Sequence, residues 1–170
     1  MKGKLPLLVW TLALAAVVAG CGKGDDPAVM AQRKKFMLAS EPTGALSIAD
    51  AKKSVKEQSE VVLVGRINAG DAEPWDQGKT AFMVSEAPDP KSHSHASAKD
   101  AENCPFCKRR LANAPMAIVE FLGDDGKVLP IDARQLLGVE KNQVVVVRGA
   151  GRINELDQLV VSAQGIHVKP

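Results

Sequence analysis

Aromatic side chains are scarce in this chain, which has no tyrosine, four phenylalanines and two tryptophans in 170 residues. Single-stranded nucleic acid is held largely by bases stacked on aromatic rings, so that class of partner has few platforms here. Net charge is nearly absent too: 22 Lys and Arg stand against 20 Asp and Glu. That balance excludes the broad basic surface that tracks a phosphate backbone, and no nucleic-acid partner is expected. There is no Gly-x-Ser-x-Gly elbow, no phosphate-binding loop and no His-Glu-x-x-His pair, so nothing points to a hydrolase or a nucleotide enzyme. Cysteine is limited to Cys21, Cys104 and Cys107, and histidine to His93, His95 and His167. Only one long apolar run exists, from Leu5 to Gly20.

That run is too short and too poorly flanked for a durable membrane span. It follows Lys2 and Lys4 and ends in Val18-Ala19-Gly20-Cys21. A charged start, an apolar core and small residues before the cleavage point are the three parts of a secretory signal. The closing tetrapeptide resembles the bacterial lipobox, and the resemblance implies that residues 1–20 are removed and that the Cys21 sulfur accepts a diacylglyceryl group. Losing Lys2 and Lys4 leaves equal numbers of acidic and basic residues. Lipid at Cys21 is then the expected membrane attachment. It places the protein in the cell envelope, facing the periplasm or the exterior. Export carries Cys104 and Cys107 into an oxidising compartment, where a disulfide between them is one possible state.

Residues 21–45 read as a lipidated flexible tether, opening on Gly22, Gly24, Asp25, Asp26 and Pro27. A short helix over 28–39 is allowed within it, with Val29, Phe36 and Met37 on one side. Its Arg33-Lys34-Lys35 cluster reads either as a solvated face or as a contact for anionic headgroups near the anchor. The folded domain is expected to begin near Leu46 and to run to residue 170. Ser47 and Asp50 fit an N-cap with an acidic residue three positions on, starting a helix that reaches Gln58. Strands are expected at 61–67, 80–85, 117–122, 143–149 and 159–163, the last extended over 166–168 past a bulge at Gly165. Asp132 caps a brief helix closed by Gly138.

The fold class is therefore mainly β. A five-stranded barrel with a short helix between strands 3 and 4, preceded by an N-terminal helix, resembles the OB-fold. The segments Val61-Val62-Leu63-Val64-Gly65-Arg66-Ile67 and Val144-Val145-Val146-Val147-Arg148-Gly149, with Leu159-Val160-Val161-Ser162-Ala163, are similar to the first, fourth and fifth strands of exported bacterial OB-like domains. The alternative is an open α+β sheet with one helix packed on a face.

Residues 86–114 form an insert with almost no apolar periodicity, and long loops inside a compact domain are usually functional or disordered. It holds His93-Ser94-His95 and then Cys104-Pro105-Phe106-Cys107. A two-residue spacer lets both sulfurs turn to one point. With two imidazoles they make a four-coordinate set suited to zinc at about 2.0–2.3 Å; copper is also admitted by thiolate and imidazole. The Cys104–Cys107 motif also resembles the active site of the thioredoxin and glutaredoxin families. Those families place it on a helix after a strand of an α/β sheet, and no such unit surrounds it here. Lys108, where c-type haem attachment requires His, argues against haem. Trp75, in the first inter-strand loop, is a possible ligand contact or a cap over the barrel end. His167, alone in the last strand, reads as structural or exposed.

The sequence thus reads as a lipid-anchored, non-enzymatic binding module with a zinc or copper site at Cys104, Cys107, His93 and His95, serving an envelope partner or ligand. A tethered dithiol protein, and a partner-binding barrel whose Cys pair is only structural, are the alternatives.

Overall fold

Alternation decides the strands. In Glu60–Ile67 (β1) Val61, Leu63, Gly65 and Ile67 are buried while the residues between them are at least partly exposed, as expected where one face of a β-branched strand meets a core. The computed structural model describes residues 26–55, 60–87 and 114–170. Within them β1 is followed by Ala81–Glu86 (β2), Met116–Glu120 (β3), Val144–Ile153 (β4) and Leu159–Val168 (β5). The strands close into a barrel in the order β1-β2-β3-β5-β4, and β4 returns to β1 from Glu60↔Ala150 to Arg66↔Val144. Every neighbouring pair is antiparallel except β3 and β5. This is the OB-like barrel, and the continuous β1–β4 ladder excludes an open sheet. Phe82, Val84, Val119, Phe121, Val145, Val147, Leu159 and Val161 fill its interior.

The helices are Pro27–Phe36 (α1), Ile48–Ser54 (α2) and Ala133–Leu137 (α3). Ser47 caps α2 by accepting from the Asp50 N–H at 3.1 Å. Asp132 caps α3, and Gly138 ends it in the left-handed region at φ 69°. β5 carries the expected bulge: Arg148 pairs with Gly165 but Gly149 pairs with Ala163, which leaves Gln164 as the extra residue.

β4 runs four residues further than its β-branched core suggests. The sequence expectation ends the strand at Gly149, with Gly151 beyond it. In the barrel they are sites of close approach: a Cβ on Gly149 would lie 2.2 Å from the Ser162 carbonyl oxygen, and one on Gly151 would lie 2.5 Å from Val55 Cγ2.

The expected boundary at Leu46 is wrong, because the packed unit begins at α1. Pro27 pre-sets the first turn behind an Asp26 cap,. Val29, Arg33 and Phe36 then share one helical face. Val29 and Phe36 belong to the hydrophobic core, and the Phe36 ring meets Phe121 edge-on at 5.0 Å. After α1 the chain wraps the barrel as a belt. Leu38 N–H donates to Ile166 O at 2.8 Å, where β5 has run past the end of β3. Leu46 bonds Val62 and Val64 of β1 at 2.9 and 3.0 Å, ahead of the point where β2 joins β1. His167 Nδ1 sits 3.2 Å from Leu38 O, and Lys169 pairs with Glu41 at 3.0 Å. Over residues 27–45 the tether expectation misses backbone pairing, which any side chain permits and which leaves no mark in composition.

The barrel has two unlike ends. One gathers α1, α3, Phe121, Ala81 and the Trp75 loop. The other gathers α2, Glu86, Met116 and the β4–β5 hairpin. Among the described residues no helix is long and apolar enough to cross a membrane.

Candidate functional site

The insert leaves and re-enters the barrel at adjacent strands. Ser85 pairs with Met116 across β2 and β3, and Glu86 N–H donates to Pro115 O at 3.0 Å. The Glu86 carboxylate accepts from Ile48 N–H at 3.1 Å, which ties the root of the insert to the first turn of α2. Burial raises the Glu86 pKa, opposed by the backbone N–H groups of Ala49 and Ile48. Ser85, cross-strand from Arg66, is fully buried, and its hydroxyl finds no hydrogen-bond partner among the described residues. These anchoring residues were not singled out in the sequence; Glu86 differs from any other strand-end glutamate only in facing α2.

His93, His95, Cys104 and Cys107 lie outside the described residues, as does Cys21. Among the described residues no three His, Cys, Asp or Glu side chains gather in a way that could hold a metal ion. Glu86 and Pro115, between which the insert departs and returns, lie on the barrel end opposite α1.

Trp75 is described, and it closes the barrel end. Its ring packs on Phe82 at 5.8 Å, and the Arg134 guanidinium carbon stands 5.5 Å from its centroid. Arg134 is itself held by Asp132 through bonds of 2.9 and 2.7 Å. Those bonds hold the Asp132 carboxyl below its usual pKa. A tryptophan engaged in this way has little free ring face for stacking a ligand.

The basic cluster divides. Arg33 turns inward and donates to the carbonyls of Leu136 at 2.7 Å and Gln135 at 2.8 Å. A cation at the last carbonyls of α3 satisfies acceptors that no helical N–H reaches. Lys35 pairs with the almost fully exposed Asp124 at 3.2 Å, and Lys34 is exposed. Between α1 and the 122–129 turn lies a cavity of about 260 Å³ lined by Gln32, Lys35, Phe36, Leu122, Asp125 and Leu129 among others, where Gln32 Oε1 is buried without a partner among the described residues. Compared with known proteins, the chain matches no family model and no curated sequence.

Proposed function

We propose that this chain is an exported lipoprotein, cleaved before Cys21 and acylated there, whose barrel carries a metal-binding insert. Cys104 and Cys107 supply two thiolates, and His93 and His95 complete a tetrahedral set for zinc, with copper as the competing ion. The module is non-enzymatic and serves an envelope partner or ligand from the membrane surface. The observation that carries the reading is the confinement of paired cysteines and two of three histidines to one insert. The roots of that insert are clamped on a closed barrel. A barrel with its own core needs no metal to fold, which frees the insert for binding.

Elemental analysis of the processed protein, purified reduced and without oxygen, tests the metal. About one equivalent of zinc is expected, lost in the Cys104→Ala/Cys107→Ala double variant. His93→Ala and His95→Ala should weaken binding by unequal amounts, since water can replace one imidazole. Metal unchanged in the double cysteine variant would put the site elsewhere. Metal-free protein whose thiols cycle with a protein substrate would favour the dithiol alternative instead. For the anchor, labelled fatty acid should enter the wild type and not Cys21→Ser; equal labelling would remove the lipoprotein reading.

A further inference from the structure

The packing of α1 fixes how the domain stands on a membrane. We infer that the outer face of α1 rests on the headgroups of the bilayer that holds Cys21, and that the barrel end bearing Glu86 and Pro115 faces away from it. The inference depends on acylation at Cys21, as proposed above.

Reach is the first argument. Five Cα–Cα steps separate Cys21 from Asp26, so even a fully extended chain spans at most about 17–18 Å. A tether running to Leu46 would let the domain tumble freely. A helix seated on the core at Val29 and Phe36 and bolted to α3 by Arg33 does not.

Chemistry is the second argument. The outward side of α1 carries Pro27, Ala28, Met30, Ala31 and Lys34, all exposed; the nearest acid is the Asp26 cap, whose carboxylate accepts from the Ala28 N–H at 2.9 Å. Small apolar groups beside a lysine suit the headgroup boundary of an anionic membrane. Lys35 can add to this, because its partner Asp124 is 98% exposed and such surface pairs hold weakly,.

Topology is the third argument. β2 starts at Ala81 near α1 and ends at Glu86, where the insert departs. The β4–β5 hairpin reaches the same far end, with Leu156 at its tip, 78% exposed. Ten-residue strands at about 3.3 Å per residue, tilted as in a small barrel, separate the two ends by roughly 20–25 Å.

Trp75 makes the orientation measurable. With Trp10 removed in the signal, it is the single tryptophan of the processed chain, and it lies at the α1 end. Acylated protein is bound to phosphatidylcholine/phosphatidylglycerol vesicles that contain a dansyl-labelled lipid. Energy transfer from Trp75 should be severalfold more efficient than from the Leu156→Trp donor in a Trp75→Phe background. A second variant keeps Trp75 in place: Ala31→Glu/Lys34→Glu alters only exposed side chains and should lower transfer while the protein still floats with the vesicles. Flotation with equal transfer from both donors, or with transfer unmoved by the α1 variant, overturns the orientation and leaves the anchor standing. Wild-type protein that fails to float overturns both.

Discussion

Phe36→Ala asks whether α1 is part of the domain. The ring is 4% exposed and meets Phe121 at 5.0 Å, edge to face. Truncating a buried phenylalanine to alanine costs about 3–5 kcal/mol, which includes the loss of the aromatic pair. A surface residue on a tether would cost no more than about 0.5 kcal/mol. The two expectations differ by nearly an order of magnitude. For a domain of this size each kcal/mol moves Tm by roughly 2–4 °C, so a fall on the order of 10 °C is expected. Urea unfolding of protein spanning residues 22–170, followed by Trp75 fluorescence and by far-ultraviolet circular dichroism, measures the loss directly. Phe36→Leu keeps most of the volume and should recover much of the stability. A Phe36→Ala protein within about 0.5 kcal/mol of wild type would refute the packing argument, because no alternative partner could replace the contact with Phe121 so completely.

Further outcomes follow from the same geometry. Gly149→Ala should cost about 3 kcal/mol, near the upper end for overpacking, since the new methyl would meet backbone atoms of Ser162 and Ala163,; a neutral thermal melt would contradict the close approach. Asp132→Ala should cost about 1 kcal/mol at neutral pH through loss of the α3 cap,. Its carboxyl is held below the usual aspartate range, chiefly by side-chain hydrogen bonds from Arg134. The stability it adds is therefore full above the unfolded pKa and declines as pH falls through the lower folded value. The gap between wild type and variant should accordingly narrow in denaturant melts at pH 3, and a constant gap would count against the linkage. Chelator under reducing conditions should speed amide exchange in residues 88–112 and leave β1, β3, β4 and β5 slow; cooperative loss throughout would mean that a metal site supports the core.

The barrel was legible in the sequence because its signals are local. Period-two burial in β1, the β-branched run of β4, the Asp132 and Gly138 caps and the Gly165 bulge each leave a mark within a few residues. What escaped was long-range. Arg33 reads as a surface cation because its acceptors lie 103 and 102 residues away. The belt at Leu38 and Leu46 pairs through backbone groups, which carry no side-chain signature. Gly149 reads as a strand end because a glycine required by a neighbour looks, in one dimension, like a glycine that breaks a strand. For the candidate site the balance is reversed: His93, His95, Cys104 and Cys107 were legible as a motif and lie outside the described residues, while the buried root at Ser85 and Glu86 carried no motif.

Chains are made from the N-terminus, so α1 is the first described element to exist and among the last able to settle. Its carbonyl partners belong to α3, and the strand that receives the belt at Ile166 is β5, the final one. Until β5 is present, Phe36 and Val29 have no complete surface to cover, and apolar side chains left waiting in water are sticky. Order of synthesis and order of assembly therefore run in opposite directions here. A chain interrupted before Leu159 would hold α3 and Phe121 but not the strand that receives the belt, and its first helix would have only part of its seat.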